Sequence, residues 1–177
     1  MTTTAKPLKL SEADLRLIAR WVSACAARAL PLFEVAAPRD TRPRDALAGI
    51  RLFVRGGKRT AQLRSLALAA LAAAREVGDP VATAAARAAG YAAASAYTHP
   101  LASPHQIKHI LGPVVYAARA RELAADDATA GDKELASALR RATPALRNVV
   151  RRFPSRRAGR SRLDQLYSQL DAGLRRR

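Results

Sequence analysis

The sequence predicts an all-α protein: one compact domain, a bundle of about six to eight helices whose chain neighbours are mostly antiparallel. Three observations carry that expectation. Apolar residues make up 49% of the 177 residues and aromatics only 5%. Nearly half of the apolar content is alanine, which has the highest helix propensity and no side-chain entropy to lose. The β-branched and aromatic residues that suit a pleated sheet are sparse. Apolar positions also recur at spacings of three and four between capping signals, the period of a helix with one buried face.

Residues 1–10 show no hydrophobic period and are expected to form a flexible arm. Ser11 is an N-cap with Asp14 three residues on, and Leu15, Ile18, Val22, Cys25 and Ala29 make one stripe of the first helix, with Trp21 beside it. Pro31 ends or kinks that helix. Asp40 caps a second helix with Pro43 in its first turn; Leu47, Ile50, Phe53 and Val54 face inward and Gly56 and Gly57 stop it. Thr60 caps a third, alanine-rich helix. The Gly78-Asp79-Pro80 sequence reads as a stop, a cap and a first-turn proline for a fourth. Ser103 and Pro104 repeat that start for a fifth helix, with Gly112 and Pro113 expected to kink it. A sixth carries Leu135 and Leu139, Thr143 and Pro144 restart a seventh, and Leu163, Leu166, Tyr167, Leu170 and Leu174 mark a last amphipathic helix. The expected organisation is an arm (1–10), a helical domain (11–153), and a basic link with a docked C-terminal helix (154–177).

The longest apolar run, Leu66 to Ala74, is far short of the ~20 residues that span a bilayer, so no membrane role is expected. One cysteine and no signal-like N-terminus suggest a reducing cytoplasm. A net charge of +17 points to an anionic partner, whether nucleic acid, an acidic protein face or an anionic membrane surface, and charge alone does not choose among them.

Catalytic and cofactor motifs are not recognised, and the expectation is a non-enzyme without cofactor or metal. His105 and His109, at i and i+4, share a helical face with His99 nearby, and these three are the candidate functional histidines. The glutamate of a zinc-protease helix is missing between them, which favours structural or capping roles. Cys25 lies on an apolar stripe and reads as core. The strongest physical signal is Arg140, Arg141, Arg147, Arg151, Arg152, Arg156, Arg157, Arg160 and Arg162, nine arginines without an intervening acid. They are the candidate partner- or anion-binding surface. Only Phe153 and Tyr167 are nearby aromatics, so base stacking is poorly supported.

The segment from Trp21 to Glu34 (WVSACAARALPLFE) and the Arg42–Arg44 tripeptide RPR resemble the opening of bacterial immunity proteins with an Imm-five-like domain. The run AAAREVGDP from Ala72, ARAAG from Ala86, the turn holding His99 and His105, YAARA from Tyr116 and LRRATPALR from Leu139 continue the resemblance, over roughly Glu12 to Phe153. It departs at Tyr91, where histidine is expected. The resemblance implies a cytoplasmic inhibitor that binds a cognate toxin protein and neutralises it by occlusion. The alternative is a basic, helical nucleic-acid-binding protein of architectural or regulatory type. For an immunity protein, duplex binding should be weak and non-specific.

Overall fold

The computed structural model describes residues 6–156 and 159–176. Among them the chain forms nine α-helices: α1 (Glu12–Ala27), α2 (Leu30–Ala36), α3 (Arg42–Val54), α4 (Ala61–Glu76), α5 (Pro80–Ala94), α6 (Pro104–Ala125), α7 (Ala128–Arg141), α8 (Pro144–Arg151) and α9 (Arg162–Arg175). A single 3-10 turn follows α5 at Ser95–Tyr97. The expected range of six to eight helices is thus exceeded by one, and α2 is the extra. Pro31 lacks an N–H and its ring would collide with the carbonyl four residues earlier, so the chain turns at Arg28 and Ala29 and restarts with Pro31 in its first turn.

The starts follow local chemistry. Ser11 and Asp14 form a reciprocal capping box, with Ser11 Oγ accepting from the Asp14 N–H at 3.1 Å and Asp14 accepting from the Ser11 N–H at 3.0 Å. The side chains of Thr60, Asp79, Ser103, Thr143 and Ser161 each accept from the backbone N–H three residues on. At α3 the N-cap position belongs to Thr41, one residue beyond the expected Asp40, but Asp40 still accepts from the Arg42 N–H at 3.1 Å. Its end is a Schellman motif: Gly56, at φ +107°, donates to Phe53 O, and Gly57 to Leu52 O at 3.0 Å. Where a kink is expected, α6 is one helix from Pro104 to Ala125 running through Pro113, whose missing N–H leaves the His109 carbonyl without a helical donor.

The centre of the molecule is α5, which contacts α1, α2, α3, α4 and α6. Ala82, Ala84, Ala85, Ala86, Ala88, Ala89, Ala92 and Ala93 are all buried on it. Such small side chains let neighbouring helices approach closely, and a Cβ on Gly90 would stand 2.8 Å from the Leu71 side chain of α4. Bulk is supplied from around it by Ile18, Phe33, Leu47, Ile50, Phe53, Ile107, Ile110 and Leu111. Residues 6–8 pair with the segment before α6, with a bridge between Pro7 and Leu101 and a hydrogen bond from the Leu8 N–H to Pro100 O at 2.9 Å.

The C-terminal helices are joined to the rest by arginine. Three buried carboxylates, Glu122, Glu134 and Asp171, each meet one or two guanidiniums. Arg28 grips Glu134 through two bonds of 2.6 and 3.1 Å, and Arg162 bridges Glu122 and Asp132. Gly131 is required at this joint, because a Cβ there would lie 2.4 Å from the Glu122 side chain.

Candidate functional site

The arginines singled out from sequence do not all face solvent freely. Arg147 donates to Leu139 O (2.8 Å), Ala142 O (3.3 Å), Gly173 O (2.7 Å) and Leu174 O (3.3 Å), closing the last turns of α7 and α9 together. Arg151 reaches Arg176 O at 2.9 Å, and Arg152 reaches Lys9 O at 2.9 Å and Asp14 at 2.8 Å. Arg141 bonds to Ser137, Arg156 to Asp164, and Arg162 to Glu122 and Asp132. Arg140 and Arg160 are exposed and have no hydrogen-bond partner among the described residues. Arg157 lies outside the described residues. This stretch is mainly an internal clamp, with open charge at its two ends.

The histidines divide. His105 and His109 stack edge to face, with ring centroids 5.0 Å apart, while His99 is exposed and its N–H donates to Gln106 Oε1 at 3.0 Å. His105 and His109 line a cleft of about 370 Å³ between α5, α6 and α9, together with Tyr91, Lys108, Tyr116, Arg156 and Tyr167. Burial, and then the nearby His105 and His99, hold the His109 pKa below its ordinary value near 6.5, so His109 is neutral at pH 7. Burial likewise raises the phenols of Tyr116 and Tyr167, keeping both as O–H groups. Cys25 is fully enclosed, and burial pushes its thiol up to about 12, which removes it as a nucleophile.

A second surface was not singled out from the sequence. One face of α3 (Asp45, Ala48, Gly49, Leu52) and one face of α4 (Gln62, Leu63, Leu66) enclose a groove of about 840 Å³, closed at one end by Arg55, Gly57, Lys58 and Thr60. Gly49 sets its depth, since a Cβ there would stand 2.8 Å from Leu66 Cδ1. Leu52, 59% exposed, forms its apolar edge, and Leu68 on the outside of α4 is 60% exposed. Arg51, Arg55 and Lys58 are exposed, and their side chains make no hydrogen bond or ion pair among the described residues. Arg64 lies flat on the Tyr97 ring, its Cζ 4.7 Å from the centroid. Two signals in the sequence mark this surface: no acidic residue occurs between Asp45 and Glu76, and Leu52 lies off the inward stripe of its helix.

Comparison with known families gives one match. The family described as "Imm-5 like putative immunity protein" matches residues 8–145. The chain belongs to this family. The Imm-5-like match takes in α1 to α7 and the first two residues of α8, and so contains the whole α3–α4 groove. It stops short of Arg147 and of every later arginine in the clamp, and of the α9 wall of the histidine cleft. No curated protein and no solved structure matches the chain significantly. None of the helices among the described residues is long and apolar enough to cross a membrane.

Proposed function

We propose that this Imm-5-like protein neutralises a cognate toxin domain by binding over it, without catalysis, and that the α3–α4 groove is the centre of its docking face. The observation that carries this reading is the conjunction at the groove of exposed Leu52 with Arg55 and Lys58, whose side chains make no hydrogen bond or ion pair among the described residues, with Arg51 exposed and equally unengaged on the same helix. An apolar edge excludes water at the centre of an interface, and a basic rim steers an acidic partner and sets register. The complementary toxin surface is acidic, with an apolar side chain that fits beside Leu52. Arg140 and Arg160 add charge away from the groove. In domain terms residues 11–153 serve as the immunity unit, and 154–177 as a link and brace.

The immunity reading expects a toxin gene beside the one for this chain, and co-expression with the toxin domain found there tests the proposal. The wild type is expected to restore growth and to co-purify with the toxin. The double substitution Leu52→Asp, Arg55→Glu is expected to weaken the complex by on the order of a hundredfold, with an unchanged helical circular dichroism spectrum. Full protection by that variant would remove the groove from the interface. Random duplex DNA is expected to bind no more tightly than roughly micromolar at physiological salt. Tight, sequence-selective DNA binding would replace the immunity reading with the nucleic-acid one.

A further inference from the structure

The cleft between α5, α6 and α9 holds an arrangement that the docking face does not use. Arg156 lies over the Tyr167 ring, its Cζ 4.1 Å from the centroid, and its side chain is only 13% exposed. One nitrogen of the guanidinium, Nη2, bonds to Asp164 at 2.5 Å. The other two, Nε and Nη1, are buried without a hydrogen-bond partner among the described residues. A buried charged donor left unmatched is costly, and a small shift of the Arg156 side chain, which lines the cleft, would turn these nitrogens to an acceptor supplied from outside.

The rest of the lining completes a receptor for an anion. Lys108 brings a second full positive charge, and His105, His109 and the tyrosine hydroxyls bring further donors. The one carboxylate, Asp164, is itself held by the Ser161 hydroxyl at 2.7 Å and by Arg156. Tyr91 and Tyr116 form one wall, their rings 5.5 Å apart and tilted by 33°, and Arg87 stands 5.6 Å from the Tyr116 ring. Gly112 lets α6 pack close to Tyr167, since a Cβ there would press to 3.2 Å from Tyr167 Oη. Carboxylates offer two oxygens. A phosphate monoester offers three and carries up to two charges, which suits this larger set of donors.

We propose that this cleft binds the phosphate group of a small phosphomonoester whose planar ring lies along the Tyr91–Tyr116 wall. Arg156 and Lys108 bind the dianion, Tyr167 and Asp164 hold the Arg156 guanidinium in place, and the histidines read the charge from the side. The site shares no residue with the α3–α4 groove, so it stands or falls independently of the docking face.

Phenyl phosphate titrated into the full chain, with the imidazole resonances of the three histidines followed by NMR, tests the site. Saturable shifts are expected at His105 and His109, together with a rise in the His109 pKa, because a bound dianion favours the imidazolium. Arg156→Gln and Lys108→Gln are each expected to weaken binding by roughly tenfold or more, while Arg140→Gln binds as the wild type does. Lys108 is exposed, so its variant remains folded and readable even if Arg156→Gln proves unstable. Absence of a saturable shift, or unaltered binding by both variants, would overturn the proposal. Equal affinity for inorganic phosphate would overturn the role of the ring wall, and equal affinity for benzoate the choice of phosphate.

Discussion

Along α7, α8 and α9 most arginine side chains, Arg140 apart, face carbonyls, carboxylates or other side-chain oxygens, whereas along α3 and the start of α4 several face only water. Both regions include a long run without acids, residues 140–162 in one and 46–75 in the other, yet their surroundings differ in acceptors. The last turns of α7 and α9 converge on Arg147 and present helix-end carbonyls to its guanidinium. At the end of α3 the equivalent carbonyls are already taken by Gly56, by Gly57 and by Arg16, which donates to Phe53 O at 3.1 Å and Gly57 O at 3.2 Å. Arg51 and Arg55 are left over, and an unengaged charge is the kind a partner can use. Local supply of acceptors, more than arginine density, separates structural from recognition charge.

The strongest way to break the clamped region is at its junction with α1. Trp21 is 6% exposed and its Nε1 donates to Ala138 O at 3.0 Å, so Trp21→Ala is expected to cost about 3–5 kcal/mol in urea unfolding. A change below about 1 kcal/mol would show that the indole does not tie α1 to α7. Next comes Arg147→Ala, which strips donors from two helix ends and is expected to cost about 2–3 kcal/mol, moderated by partial access to water. A neutral result would mean that the carbonyls are satisfied without it.

The open region should respond in the opposite sense. Reversing Arg51, Arg55 and Lys58 to glutamate is expected to change stability by less than about 0.5 kcal/mol, because exposed unpaired charges contribute little to folding. The same variant should lose toxin association and most of its salt dependence, as stopped-flow binding at two ionic strengths would show. A large loss of stability would mean that these side chains are structural after all.

The smallest effect concerns pH. His109 has a depressed pKa in the fold, while in the unfolded chain it titrates near 6.5. Above pH 6.5 it is neutral in both states and adds no penalty. As pH falls through that value the unfolded chain takes up a proton that the fold resists, so stability declines until the folded pKa is reached. The groups around it are His99, His105, Lys108, Arg156, Asp164 and the three cleft tyrosines. His109→Gln should therefore narrow the difference in Tm between pH 7.5 and pH 5.5. An unchanged difference would assign the pH response elsewhere.

Much of the architecture was legible because its signals are local. Caps at Ser11, Thr60, Asp79, Ser103 and Thr143 act within three residues, and the glycine stops act through their own backbone. The break at Pro31 was visible, but whether α2 resumed as a separate helix depended on Phe33 finding a buried place. The site was less legible. His105 and His109 could be placed on one face from their spacing, but nothing local brings Arg156 from a distant link over Tyr167 beside them.

By itself the sequence determined the all-helical class, most of the helix starts and the burial of Cys25, because propensity, capping and apolar period all operate over a few residues, while the family followed from its resemblance to known immunity proteins. Tertiary structure alone decided which arginines are engaged and which remain open, and that the α3–α4 groove exists at all. The physical reason is that a guanidinium's role depends on acceptors brought to it by packing. For Arg147 these come from α9, 26 and 27 residues along the chain, and for Arg152 from Lys9 and Asp14, 143 and 138 residues away.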